Sequence, residues 1–434
     1  NRCDILKKLY KNRSFSNLLM SRILINAGDS LYYVSTTWIV LQWTQNPLLV
    51  GLTNTLLMIP MCISFLFGPL VDALPLKKTL FLTPLLQCLL LSLIASLNLI
   101  GYLNVYGLII LVAIAMFCTQ IGYPAQSKAI PLLVKKDQLL DANSAMSVAY
   151  QGTDVIMNSI SGIIVAAIAF FPLYSINSLI FLIACLFMLN VNIPNITNPA
   201  RNNPSYLQNL KEGVLGIKNS LLLVVALVSG VINFGLGLLY TWIPLKADHL
   251  GGAYYYGLLM ALFSIGLIVG SLITPYIKKI NLGYGKLLIL LNTISGLILI
   301  LVNYIPRNFF IILFPVAFMT ISITNISLAS IQQKVIPEHL LARLTTIITS
   351  ISAISLPMGS FIGGILIKNL GIDYTLVIGG ALFIIASIIF FISTPYRSLP
   401  KIEKIEHLSL IHIRRCRRIE RWSSWWPPLQ QVKH

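Results

Sequence analysis

The chain has 434 residues, of which 56% are hydrophobic and only 10% are charged, and its formal net charge is +18. A soluble protein needs a more polar surface than this composition can form, which excludes a soluble fold. The positive charge lies mainly in short breaks between long apolar runs, so it does not indicate a nucleic-acid-binding surface.

Twelve apolar runs follow one another along the chain, and each is long enough to cross a bilayer core about 30 Å thick as a helix. The first six are predicted as helices at about 17–42, 48–71, from 79, 105–123, 142–170 and 176–193. The last six are predicted to begin near Ser220, Tyr254, Lys286, Asn308, Leu344 and Tyr374. We therefore predict an all-α polytopic membrane protein with twelve transmembrane helices.

The breaks between the helices differ in charge on the two sides of the predicted membrane. With the N-terminus in the cytoplasm, the opposite side receives only Lys246, Arg307 and Lys368, while the cytoplasmic breaks collect most Lys and Arg residues. Positive loops remain in the cytoplasm. The sequence thus predicts a multi-pass protein of the cell membrane with both termini cytoplasmic and the lipid bilayer as its surroundings.

The two halves of the chain resemble each other at an offset near 200 residues. Ile130-Pro131 after helix 4 matches Ile336-Pro337 after helix 10, and Lys77-Lys78 matches Lys278-Lys279. The repeat predicts a six-helix bundle at 1–193, a cytoplasmic connector at 194–219 and a second six-helix bundle at 220–400. Such parallel repeats are typical of secondary transporters whose substrate site lies between the halves.

Both ends of the chain are unusual. The first residue is Asn1 rather than Met, so we expect a few residues to precede it. The tail at 401–434 changes composition, and 408–418 resembles a translated sequencing adapter, which predicts an assembly artefact from about 407. The alternative is a basic, Trp-rich tail that binds anionic lipid.

Helix 1 carries a polar stripe. Arg22, Asn26, Asp29 and Tyr33 are spaced by four, three and four residues, which places them on one helical face. Arg22 can either extend its side chain to the membrane surface or face the same space as the others. Asp29 lies too deep for that, so it either hydrogen-bonds to a neighbouring helix or faces a water-filled cavity.

Helix 5 carries a second polar stripe around a second intramembrane acid, Asp154. Its members are Asn143, Ser147, Gln151, Asp154, Asn158 and Ser161. Two acids on polar stripes predict a wet cavity, in which Asp29 and Asp154 either exchange protons or hold a cationic substrate. The second half has no such acid, and its polar candidates are Asn233, Tyr240, Thr241, Thr320, Thr324, Asn325 and Ser327.

The segment Gly68-Pro69-Leu70-Val71-Asp72, followed by Lys77-Lys78, resembles the loop signature of the major facilitator superfamily. Gly28-Asp29, Tyr123-Pro124-Ala125 and Pro357-xx-Ser360-xx-Gly363-Gly364 resemble its macrolide-efflux type of drug:proton antiporter. The resemblance implies that Gly68, Asp72, Lys77 and Lys78 form a cytoplasmic gating loop, with Asp72 meeting the start of helix 11. Ala73 stands where the family has Arg, and helix 4 has no Arg, so the pattern expected for proton coupling is incomplete.

Motifs of other functional classes do not occur in the sequence. There is no phosphate-binding loop, no metalloprotease or esterase motif and no intramembrane His, so we predict no nucleotide, no cofactor, no metal site and no enzyme activity. The expected function is efflux of a small amphipathic, macrolide-like substrate by proton antiport with alternating access, and the direction rests on the resemblance. The alternatives are an exporter of a natural peptide or siderophore, or a non-transporting sensor that kept the fold.

Overall fold

The structure is a computed structural model that describes residues 9, 11–63, 74–135, 138–193, 221–277, 282–335, 338–397 and 399. Within these residues the chain forms twelve long helices and one short one. They are α1 (Arg13–Thr44), α2 (Pro47–Cys62), α3 (Leu76–Leu99), α4 (Val105–Leu133), α5 (Leu139–Ala167), α6 (Phe170–Leu189), α7 (Leu221–Leu250), α8 (Ala253–Ile277), α9 (Tyr284–Leu301), α10 (Arg307–Val335), α11 (Glu338–Leu370), α12 (Ile372–Ile392) and α13 (Thr394–Arg397). The predicted connector at 194–219 and tail at 401–434 lie outside the described residues.

Side-chain caps explain where the first helices begin and end. The Asn12 side chain accepts hydrogen bonds from the backbone N–H groups of Ser14 and Phe15 and so begins α1. Gln45 ends α1 in a left-handed conformation, with φ of 49°. Asn46 then caps α2, whose first residue is Pro47. Two residues therefore suffice to reverse the chain between α1 and α2.

Three helix boundaries differ from the sequence prediction by six residues or more, and residues 64–71 of the predicted second helix lie outside the described residues. Helix α4 continues to Leu133 through Pro124 and Pro131, because membrane helices tolerate proline where neighbouring groups replace the lost hydrogen bond. Helix α6 begins at Phe170 rather than near 176, because Pro172 lies in its first turn, where a helix tolerates proline. Helix α11 begins at Glu338, in a polar segment before its apolar run.

The two sets of six helices pack in the same pattern. Helix α1 packs against α2, α4, α5 and α6, and α7 packs against α8, α10, α11 and α12. Helix α3 contacts α4 and α6, as α9 contacts α10 and α12. The repeat detected in the sequence is thus also a repeat of helix packing, whereas the exact domain limits remain a prediction.

Contacts between the two halves follow the same symmetry, because α2 packs against α11 and α5 packs against α8. We call the end of the bundle where α1 begins proximal and the end where α1 meets α2 distal. Gly162 of α5 lies against Gly257 of α8 near the distal end, where a Cβ on either residue would overlap the other helix. Gln42 Nε2 also donates to Asp248 Oδ1 across the halves there, at 2.8 Å.

Nine of the described helices are long and apolar enough to cross a membrane. Among the described residues α2 is shorter, at Pro47–Cys62, while α1 and α5 are long but less apolar than the nine. Helices α1 and α5 are the two that carry the predicted polar stripes. The polar residues that make α1 and α5 less apolar than the other helices are therefore the same residues that were predicted to form the site.

Candidate functional site

The carboxylate of Asp29 lies inside a ring of hydrogen-bond donors. Its Oδ1 accepts from Tyr32 Oη at 2.8 Å, Thr119 Oγ1 at 2.9 Å and Gln87 Nε2 at 3.0 Å. Its Oδ2 accepts from Tyr123 Oη at 3.0 Å. Asp29 is only 8% exposed, so its acceptor-only carboxylate is satisfied by side chains from α1, α3 and α4 rather than by water.

Arg22 lies beside this cluster, and no carboxylate of the described residues forms an ion pair with it. Its Nη1 donates to Gln126 Oε1 at 2.7 Å, and its guanidinium carbon lies 3.8 Å from the centroid of the Tyr123 ring. A second ring, that of Tyr150, is centred 5.0 Å away. Arg22 is 9% exposed, and its Nε has no hydrogen-bond partner. The charge is thus held by cation–π contacts, with Tyr123 standing between Arg22 and Asp29.

Asn26 connects this cluster to α5. Its side chain bonds to the hydroxyl of Tyr123, and its Nδ2 donates to the carbonyl of Ala149 at 3.3 Å. The structure therefore brings Arg22, Asn26 and Asp29 together around one tyrosine of α4.

Asp154 has surroundings unlike those of Asp29. It is exposed, and its Oδ1 accepts from Ser30 Oγ at 2.8 Å and from Asn158 Nδ2 at 3.1 Å. Electrostatic interaction with Tyr240 of α7 places the carboxylate near the second half. Within the described chain no Lys or Arg pairs with Asp154. This acid therefore faces the space between the halves, and solvent can reach it.

Aromatic rings line the boundary between the halves on the distal side of Asp154. Tyr33 meets Tyr240 edge-on with ring centroids 6.3 Å apart, and its buried hydroxyl has no hydrogen-bond partner among the described residues. Trp38 stacks on Tyr256 with centroids 5.3 Å apart. Tyr33, although on the same stripe as Asp29, thus belongs to the boundary between the halves rather than to the Asp29 cluster.

The other predicted site residues lie apart from these clusters. Gln151 is exposed, and its Nε2 donates to Ser147 Oγ at 3.0 Å on the proximal half of α5. Lys77 and Lys78 are exposed in the first turn of α3. Gly68 and Asp72 lie outside the described residues.

Several residues of the site were not singled out from the sequence. They are Ser30, Gln87, Thr119, Gln126 and Tyr150. Each is a single polar or aromatic residue in an apolar run, without a stripe of its own. The sequence does contain a signal for the two glutamines. A side-chain amide within a membrane helix is energetically unfavourable unless it is hydrogen-bonded, so Gln87 in Leu-rich α3 and Gln126 in α4 require partners.

A family model described as transmembrane secretion effector matches residues 9–417 of the chain. Two relatives, macrolide efflux protein A of Streptococcus pyogenes and its counterpart in a serotype M6 strain, are each 22% identical over 307 residues. The matched region is 64% of this chain and 71% of each relative.

Solved structures share the fold at low sequence identity. A bacterial homologue of the human lysosomal transporter Spinster has a TM-score of 0.69 at 11% identity, covering 89% of this chain and 97% of that one. A bacterial homologue of the iron transporter ferroportin has a TM-score of 0.67 at 15% identity, covering 89% and 99%. The E. coli xylose transporter has a TM-score of 0.64 at 12% identity, covering 90% and 98%. The predicted fold is confirmed, and the chain belongs to the transmembrane secretion effector family as a secondary transporter of the major facilitator superfamily rather than an enzyme.

Proposed function

We propose that the chain exports small amphipathic, macrolide-like molecules by proton antiport with alternating access. The relatives named as macrolide efflux proteins support the substrate class and the outward direction. The protein would lie in the cell membrane with both termini in the cytoplasm, so that the proximal end faces the cytoplasm. The proposed gating loop of Gly68, Asp72, Lys77 and Lys78 would lie at that end.

The observation that carries the proposal is the different setting of the two acids. Asp154 is exposed between the halves and has no cationic partner in the described chain, so it can exchange a proton with water or meet a cationic substrate. Asp29 is enclosed by four donors and cannot meet a substrate in this conformation. We assign proton and substrate exchange to Asp154 and a relay role to Asp29.

Helix α1 gives the two acids a physical connection. Ser30 donates to Asp154, and the preceding residue, Asp29, is bound by α3 and α4. A proton on Asp154 weakens the attraction between its carboxylate and the Ser30 hydroxyl, because a charged acceptor makes the stronger hydrogen bond. A weaker bond between Ser30 and Asp154 lets α1 move relative to α5, and because Asp29 is the neighbour of Ser30 on α1, this movement alters the hydrogen bonds of Asp29. The two halves can then rock about the boundary formed by Tyr33 and Tyr240.

The proposal is tested with purified protein in liposomes that contain labelled erythromycin and carry an imposed pH gradient. Wild-type protein should move the macrolide against its concentration gradient only while the pH gradient lasts. Movement that is unaffected when an ionophore collapses the pH gradient would exclude proton antiport. No movement of the macrolide at all would exclude the proposed substrate class.

A further inference from the structure

The buried guanidinium of Arg22 has an unusual environment for a membrane-embedded charge. A buried cation is normally paired with an acid, because leaving it unpaired is costly. Within the described residues, Arg22 forms no ion pair, and its Nε has no hydrogen-bond partner. Asp29, the nearest candidate, is already bound by four other donors. Arg22 therefore retains capacity for an anionic group.

Tyr150 separates Arg22 from the space between the halves. Its ring is centred 5.0 Å from the guanidinium carbon, compared with 3.8 Å for the Tyr123 ring. Tyr150 is 40% exposed, so its side chain has room to turn aside. Such a movement would let a ligand in that space approach the guanidinium of Arg22.

Asp154 lies one helical turn further along the same face of α5. Four residues separate Tyr150 from Asp154, a rise of about 6 Å. The carboxylate is exposed, and among the described residues it accepts hydrogen bonds only from the neutral side chains of Ser30 and Asn158. Arg22 lies eight residues before Ser30 on α1, a rise of about 12 Å. An unpaired cation and an unpaired anion thus flank Tyr150, about 12 Å apart along α1.

We propose that this pair of charges selects a zwitterionic amphiphile, whose carboxylate is bound by Arg22 and whose ammonium group is bound by Asp154. The inference rests on the proposed function as an exporter and extends it to a second substrate class, because erythromycin has an amine but no carboxylate. An extended dipeptide spans about 7 Å, and a hydrogen bond of about 2.9 Å at each end brings its reach to about 13 Å, close to the spacing of the two residues. The aromatic boundary at Tyr33, Tyr240 and Phe263 suits its apolar side chains.

The probes that test this proposal are three labelled forms of phenylalanyl-phenylalanine. The free dipeptide is a zwitterion, its methyl ester is a cation and its N-acetyl derivative is an anion. Each is measured by counterflow into liposomes without a pH gradient, after subtracting leakage into protein-free liposomes. Wild-type protein should move the dipeptide about 10-fold faster than either derivative, as expected for losing one hydrogen bond to a charged group.

Substitutions at the two charges should change these preferences in opposite directions. Arg22→Gln should lower the dipeptide-to-ester rate ratio about 10-fold, and Arg22→Lys should restore part of it. Asp154→Asn should instead lower the dipeptide-to-N-acetyl ratio about 10-fold. Each ratio is taken within one preparation, so the amount of folded protein cancels.

Two results would overturn the inference. One is a wild-type protein that moves the methyl ester as fast as the dipeptide, or that moves no form of the dipeptide. The other is an unchanged dipeptide-to-ester ratio in Arg22→Gln. Erythromycin movement under a pH gradient, measured in the same preparation, reports the proposed function separately, so either idea can fail alone.

Discussion

The two halves of the molecule pack their helices alike but use buried polar side chains differently. In the first half such side chains bond to one another, as Gln87 and Thr119 bond to Asp29 and Arg22 bonds to Gln126. In the second half the described buried side chains bond mainly to the main chain. Examples are Thr320 Oγ1 to the Ala317 carbonyl at 2.8 Å, Asn292 Nδ2 to the Leu288 carbonyl at 2.8 Å and Ser360 Oγ to the Gly237 carbonyl at 2.9 Å.

The internal repeat therefore preserves the packing of the helices but not the hydrogen bonding of the buried polar side chains. Helix order, helix packing and the symmetric contacts between the halves are shared. The ionisable network occurs only in the first half of the described chain. The described hydroxyls of the second half bond mainly to carbonyls, either of their own helix, as Thr320 does, or of a neighbouring helix, as Ser360 does. One bundle thus carries the proposed coupling chemistry, and the other supplies the surface against which it moves.

The largest effect is expected when the sealed acid of the first half loses its charge. Asp29→Asn places an amide donor among four donors, so pH-driven efflux should fall at least about 100-fold while membrane insertion is retained. Drug accumulation in vesicles and the amount of protein in the membrane are the measurements. Asp373→Asn is the control, since Asp373 forms only an exposed ion pair with Lys246 and should change efflux less than about 2-fold. Full resistance in cells carrying Asp29→Asn would remove Asp29 from the mechanism.

Removing the exposed acid should uncouple transport rather than abolish it. Asp154→Asn should reduce pH-driven accumulation of erythromycin about 10-fold or more, because the neutral side chain cannot carry a proton. Exchange of the macrolide without a gradient should be reduced less, and Asp154→Glu should keep part of the coupling. Equal loss of driven transport and exchange would argue for a purely structural role of Asp154.

A matched pair of threonines sharpens the comparison between the halves. Thr119 of α4 donates to Asp29, whereas Thr320 of α10 donates to a carbonyl of its own helix. Thr119→Ala should reduce driven efflux about 5- to 10-fold, from the loss of one hydrogen bond to a charged group, and Thr320→Ala less than about 2-fold. Equal initial rates of efflux in the two variants would remove the proposed asymmetry.

The smallest effects are expected from the amides of α3 and α9, measured as thermal stability in detergent. Gln87→Leu removes a donor from Asp29 and should destabilise the protein by about 1–3 kcal/mol. In the described part of the chain the buried Asn292 Oδ1 has no hydrogen-bond partner, so Asn292→Leu should change stability by less than about 0.5 kcal/mol or increase it. A larger loss from Asn292→Leu than from Gln87→Leu would contradict the account.

The fold and the two acids could be predicted from the sequence because both leave periodic signals. Apolar runs reveal helices, and polar residues at helical spacing reveal Asp29 and Asp154. The partners of Asp29 left no such signal, since Gln87 and Thr119 are single polar residues and helix pairing cannot be deduced from the period of one helix. The sequence also did not distinguish a sealed acid from an exposed one, because that difference arises from packing against other helices.

The central claim is that Asp154 is open to water between the halves while Asp29 is sealed. Carbodiimide labelling of the purified protein with a water-soluble amine, followed by peptide mass spectrometry, measures this directly at each carboxylate. The account predicts modification of Asp154, slowed by bound substrate, and little modification of Asp29. Labelling of Asp29 ahead of Asp154, or no labelling of either acid, would contradict it.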